Sequence, residues 1–170
     1  MPTRAKPKPS PLQGVAWPLD PFCKIVVPFL PPGINHSYTI RKMKTKKGKW
    51  AHTLMDSDEA REFKENVAQY LDLNQGIVIA DWDWIKIISE ISTGKDKVPL
   101  VADIKFYFRT LWLRDLDGCE KHITDSLGKF LKLGGVPIND NTIVDKRTRK
   151  WADAENPRCE ISLSVCIERI

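Results

Sequence analysis

Residues 102–109 read Ala-Asp-Ile-Lys-Phe-Tyr-Phe-Arg, and their apolar and polar side chains alternate. An extended chain turns successive side chains to opposite faces, so this run is a strand with one buried and one wet face. Ala102, Ile104, Phe106, Phe108 and Trp112 fall on one side; Asp103, Lys105, Tyr107 and Arg109 fall on the other. The pattern predicts a strand from Ala102 to Trp112. A sheet that is apolar on one face has to be covered there by helices.

Two helices are readable. Asp56 with Glu59 three residues later has the spacing of a capping box for a helix from about Ser57 to Leu71. Phe63, Val67, Tyr70 and Leu71 share one of its faces. A second helix runs from about Gly118 to Leu133 and stops at Gly134-Gly135 and Pro137. On it Cys119, Ile123, Leu127 and Phe130 lie together and would bury against the sheet. Further strands are expected at Phe22 to Phe29, Thr142 to Trp151 and Cys159 to Ile167. The Ile- and Trp-rich segment 76–92 reads as one or two more, followed by a turn at 94–97. Lys47-Gly48-Lys49 reads as the tip of a hairpin or as a mobile flap. The predicted fold is α+β: a single two-layer domain, a mixed, mostly antiparallel β-sheet with about two helices packed on one face.

At 170 residues the chain has room for one domain with a substantial core. Most of its twelve prolines fall before residue 33. Residues 1–21 therefore read as a Pro/Lys-rich disordered or extended leader, and 22–170 as the folded domain. No apolar run is long enough for a membrane span, and the leader lacks the greasy core of a secretory signal. The four cysteines, Cys23, Cys119, Cys159 and Cys166, form no C-x-x-C pair. Cys119 and His122 have no second ligand pair for zinc, so reduced, partly buried thiols in a cytoplasmic protein are expected.

The net charge of +5 is unevenly spread. Arg41, Lys42, Lys44, Lys46, Lys47 and Lys49 crowd into ten residues that hold no acid, which leaves the rest of the chain close to neutral. A second cluster comprises Lys146, Arg147, Arg149 and Lys150. Either run alone could be a solvated surface. Two segregated clusters edged by Trp50 and Trp151 point instead to a polyanion.

The acids between 114 and 145 carry the chemistry. On a continuing strand Asp115 and Asp117 would share the polar side with Arg109. Asp117 also has the position of a helix N-cap, with Glu120 completing a capping box, whereas Asp115 has no such structural reason. At about 100° per residue, Asp117, Lys121 and Asp125 form one charged stripe on the helix. Asp140 lies in an Asn-Asp-Asn turn beyond the helix stop, from which the chain could return to the same sheet edge. Carboxylates gathered at one point repel unless a cation lies among them, and hard oxygen donors suit Mg²⁺ or Mn²⁺. Such an ion on a basic body points to a metal-dependent nuclease. The competing reading is a non-catalytic nucleic-acid-binding module in which these acids are caps and ion pairs.

The segment Arg114-Asp115-Leu-Asp117-Gly-Cys-Glu-Lys121, then Asp125-Ser-Leu, then Gly135-Val-Pro-Ile-Asn139-Asp140-Asn-Thr-Ile143-Val144-Asp145 resembles the signature of RusA-type Holliday-junction resolvases. Pro31-Pro32-Gly-Ile-Asn35 is similar to that family's N-terminal loop. Gly118 stands where the family usually has Asn. The resemblance implies a homodimeric, Mg²⁺- or Mn²⁺-dependent endodeoxyribonuclease that binds four-way DNA junctions and nicks two strands symmetrically in recombination and repair, in the cytoplasm on nucleoid DNA. It implies that Asp115, Asp117 and Asp140 hold the metal, that Lys121 is the active-site lysine, and that Asp125 supports them from behind or pairs along the helix. Asn35, Arg114, the 41–49 cations, Lys146, Arg147 and Arg149 would then contact DNA. Cleavage of flaps or other branched substrates would use the same site.

Overall fold

The computed structural model describes residues 15–33, 36–73, 76–92, 97–112, 115–133 and 142–167; of residues 117 and 129–133 it describes the backbone alone. The elements run β1 (Cys23–Val27), β2 (Tyr38–Lys44), β3 (Trp50–Asp56), α1 (Asp58–Asp72), β4 (Ile77–Ala80), α2 (Trp82–Ser92), β5 (Leu100–Phe108), α3 (Leu116–Leu133), β6 (Ile143–Ala152) and β7 (Arg158–Val165). Five strands form a sheet in the order β4-β1-β7-β5-β6, and β2 pairs with β3 in a separate hairpin. Within the five-stranded sheet the β5–β6 pairing is parallel and the others are antiparallel. That follows from connectivity, because α3 carries the chain across between β5 and β6. The fold is the expected α+β domain.

Strand parity builds the core. Ala102, Ile104 and Phe106 on β5 pair with Leu163, Ile161 and Cys159 on β7, which in turn pair with Cys23, Ile25 and Val27 on β1. All nine side chains point to one face and are essentially inaccessible to water. Helix residues Phe63, Val67 and Leu71 of α1, Ile85 and Ile88 of α2, and Cys119, Ile123 and Leu127 of α3 join them in one cluster. Burial pushes the Cys23 thiol up to about 12 and the Cys159 thiol well above its usual range, so both act as small hydrophobes.

The opposite face of the sheet is a polar ladder. The Arg158 guanidinium lies 3.7 Å from the centroid of the Tyr107 ring, and Tyr107 stacks on Trp151 at 5.6 Å. Arg149 reaches both carboxylate oxygens of Asp103, at 2.7 and 2.6 Å. These contacts explain why the polar half of the alternating pattern is only half-buried.

Three expectations are corrected. Residues 82–92 form a helix, so among the described residues three helices cover the sheet where about two were expected. Asp81 accepts a hydrogen bond from the Trp84 backbone N–H and starts α2, a cap signal that the Ile/Trp richness obscured. Strand β5 ends at Phe108, and Trp112 is 95% exposed instead of continuing the apolar side. Ser57, not Asp56, caps α1, its hydroxyl accepting from the Ala60 N–H at 3.0 Å. Of the residues assigned to the leader, 15–21 are described; they form no helix or strand, and Trp17 packs against Trp84 at 5.6 Å. The 94–97 turn and the 134–137 helix stop lie mostly outside the described residues.

Among the described residues two glycines adopt positive φ, Gly48 (77°) and Gly76 (73°). A Cβ on Gly48 would meet just the flexible Lys44 side chain, at 4.0 Å, whereas one on Gly76 would lie 2.1 Å from the Val26 carbonyl oxygen and 2.5 Å from the Tyr70 ring. Gly48→Ala should cost about 1 kcal/mol of stability, from backbone conformation alone. Gly76→Ala should cost about 3 kcal/mol or more, because the β1 carbonyl cannot retreat without breaking its pairing. Urea unfolding measures both; equal losses would contradict this packing.

Candidate active site

Helix α3 begins at Leu116, so the chain turns helical before an extended segment could carry Asp117. Asp115 is the residue just before the helix and is exposed; Asp117 lies within the first turn. This reverses the expected structural roles: the cap position belongs to Asp115, not Asp117. Glu120 completes no capping box. It faces the sheet edge, accepting a hydrogen bond from the Thr148 hydroxyl at 2.6 Å and lying 2.9 Å from Lys146 Nζ. Burial works against the Glu120 charge, but these two partners outweigh it and hold the carboxyl below its usual range.

One turn along α3, Lys121 is exposed and its Nζ lies 5.4 Å from the centroid of the Tyr38 ring. Interaction with the Tyr38 hydroxyl raises the pKa of Lys121. Tyr38 is the first residue of β2, at the root of the lysine-rich hairpin. Its ring also packs against His122, with centroids 5.9 Å apart. The stripe on α3 and the root of the basic arm are therefore contiguous.

A buried lysine makes that junction. Lys64 of α1 is 8% exposed and donates to Asp56 at the end of β3 and to Asp125 on α3, each at 2.8 Å. Desolvation opposes the ammonium, yet the hydrogen bonds to Asp125 and Asp56 outweigh it and raise the Lys64 pKa. The same contact to Lys64 lowers the Asp56 pKa. Asp125 is thus an interhelical ion-pair partner, and it shares the single Lys64 ammonium with Asp56. Beside them His122 is fully buried, and neither ring nitrogen has a hydrogen-bond partner among the described residues. Burial and the nearby Lys64 depress its pKa, so the ring is neutral. Sequence reasoning missed Tyr38, Asp56, Lys64 and His122 as one cluster. The sole signal was a lysine on the α1 face that also carries Phe63 and Val67.

The basic residues divide into two groups. Arg41 pairs with Asp58 at 3.2 Å, and Lys42 lies 5.4 Å from the Trp50 ring centroid. Lys44, Lys46, Lys47 and Lys49 are exposed and meet no carboxylate among the described residues. The hairpin itself forms as expected, with Gly48 at its tip. On β6 alternation splits the second cluster. Lys146 turns to α3 and Glu120, whereas Arg147 and Arg149 turn to the opposite face, near Asp145 at 3.5 Å and against Asp103. Arg147 and Arg149 thus do not share a surface with Lys121.

Asn35, Arg114 and Asp140 lie outside the described residues, as does the side chain of Asp117. Among the described residues no three His, Cys, Asp or Glu side chains converge as a metal site. The one donor of the proposed set whose side chain is described, exposed Asp115, supplies carboxylate oxygens of the kind a hard cation takes.

Two measurements follow from this cluster. Lys64→Met strands two carboxylates and should cost about 1–3 kcal/mol, between the values of exposed and buried pairs; an unchanged urea midpoint would show that the pairings are inert. His122 has a folded pKa below its unfolded value, so the unfolded chain binds the proton first as pH falls. Stability should therefore decline below about pH 6.5, by up to about 1.4 kcal/mol per pH unit. His122→Leu should flatten the decline between pH 7 and 5, as read from unfolding midpoints; an identical slope would contradict a neutral buried ring.

No model of a known protein family matches this sequence, and a search of curated proteins finds no match either.

Proposed function

We propose that this chain is a metal-dependent endodeoxyribonuclease of the RusA type, resolving four-way DNA junctions as a homodimer by paired, symmetric phosphodiester cleavage. It would act in recombination and repair, in the cytoplasm on nucleoid DNA. The observation that carries the reading is the contact of Lys121 with Tyr38. It sets the acidic start of α3 beside the root of an arm whose outer lysines meet no carboxylate among the described residues. A phosphate backbone held by that arm would pass the start of α3.

In this reading the residues divide the work. Lys44, Lys46, Lys47 and Lys49 hold phosphates without reading bases. Asp115, Asp117 and Asp140 would hold Mg²⁺ or Mn²⁺, which when bound supplies Lewis-acid polarisation of water and of the phosphate. Lys121, an exposed ammonium beside Tyr38, offers its charge to the oxygen charge that builds on the scissile phosphate. Lys64 fixes the arm and α3 relative to each other through Asp56 and Asp125. No helix among the described residues is long and apolar enough to cross a membrane.

The position of Asp115 before α3 favours one other reading, a non-catalytic DNA-binding module in which this acid is a helix cap. The two differ in metal dependence. With Mg²⁺, a labelled mobile four-way junction should be cut at paired sites, beside uncut duplex and flap controls. Asp140→Asn and Asp117→Asn should lower cleavage by orders of magnitude while junction binding persists or tightens. Lys121→Ala should lose cleavage but keep metal binding. A folded Asp140→Asn protein cutting at the parental rate would overturn the assignment, and binding without any metal-dependent cleavage would establish the module.

Alanine at Lys44, Lys46, Lys47 and Lys49 together should weaken binding to all DNA sequences alike. The slope of log K against log salt should flatten by up to about 0.9 for each duplex phosphate that the arm no longer neutralises. An unchanged slope would make this run a solvated surface.

A further inference from the structure

The hairpin has a face that phosphate binding alone does not explain. Cross-strand pairing sets Tyr38 opposite Asp56, Ile40 opposite Leu54, Lys42 opposite His52, and Lys44 opposite Trp50. By strand parity these eight side chains share one face, leading outward from the Lys121 and Lys64 contacts. Ile40, Leu54 and Trp50 are 68%, 64% and 63% exposed. A two-stranded sheet showing apolar side chains to water is only marginally stable, so this face is built for a partner.

Its charge selects the partner. Beyond Asp56, which pairs with Lys64, the face carries Lys42 and Lys44 and no acid. A second copy docking by a two-fold axis would bring these cations against themselves. A nucleic acid with exposed bases meets both demands, offering anionic phosphates and flat apolar rings. Lys42 already stands over the Trp50 indole, 5.4 Å from its centroid, an arrangement that keeps a cation beside whatever stacks on the ring.

We propose that Trp50 is a stacking platform for an unpaired DNA base, with Lys42 and Lys44 on the flanking phosphates. Stacking on an aromatic side chain tolerates any base, because every base has a flat face. Bases in an intact duplex are already stacked on their neighbours, so the ring contributes only where the helix is opened, as at a branch point or in a single strand. Trp50 would thus favour opened DNA while the outer lysines bind any DNA. The proposal rests on the hairpin being a phosphate-binding arm and is independent of the aspartates.

The test uses the full chain with chelator present, so that cleavage does not enter. Binding of oligothymidine and of duplex of equal length is compared for the parental protein, Trp50→Ala and Trp50→Phe. Trp50→Ala should weaken oligothymidine binding about five- to hundredfold and leave duplex binding within about twofold. Trp50→Phe, which keeps a flat ring and guards against a folding artefact, should restore most of the affinity. The salt slope should not change, since stacking releases no counterions. Equal weakening on both ligands, an altered slope, or a Trp50→Ala protein that sediments as a smaller species would overturn the proposal, the last by assigning the face to a second copy. A protein that cuts nothing would leave it standing, and its failure would leave the cleavage reading intact.

Discussion

The ammonium of Lys64 holds three elements that share no hydrogen-bonded strand pairing. It sits on α1, reaches the end of β3 through Asp56 and reaches α3 through Asp125. A buried ammonium needs such partners, because desolvation alone would drive it neutral. Its two carboxylates are each partly open to solvent, and each is held by meeting it. Beyond this junction the hairpin strands meet the body through Arg41 with Asp58 and through the packing of Tyr38. Lys64 therefore sets where the basic arm stands relative to the stripe on α3.

That arrangement leaves a polar residue uncompensated. His122 lies inside the cluster with both nitrogens unpaired among the described residues, next to Lys64 and under the Tyr38 ring. A neutral ring there avoids a third positive charge beside Lys64 and Lys121, while forgoing the hydrogen bonds it would make in water. On the other side of the molecule the chemistry is resolved differently. The polar face of the sheet couples Arg149 to Asp103, and Arg158 to Asp153, Glu160 and the Tyr107 ring. Similar cations thus have unlike roles: those on the sheet are consumed by its own acids, and those on the outer hairpin are not.

The parts readable from sequence were those with a local period. Alternation located β5 and the buried side of β7, and helical spacing located α1 and the buried Cys119–Ile123–Leu127 face of α3. The hairpin tip followed from Lys-Gly-Lys. Residues 82–92 failed because a short apolar run rich in Ile and Trp carries no decisive period, and only Asp81 marked it as a helix. The site was half readable. Asp115, Asp117 and Lys121 form a local motif, but the Lys64 junction joins residues 56, 64 and 125, and nothing in a linear chain announces such a meeting. The same holds for the second basic cluster, where one chemical run was split between two faces by strand geometry.

If Asp115, Asp117 and Asp140 hold a divalent ion at the start of α3, the ion can be located without requiring activity. Paramagnetic broadening of backbone amide signals by sub-stoichiometric Mn²⁺ does so. The strongest broadening should fall over residues 115–121, reaching Tyr38 at the hairpin root and sparing β4 at the far edge of the sheet. Broadening centred on Asp103 and Asp145, or none at millimolar Mn²⁺, would contradict such a site.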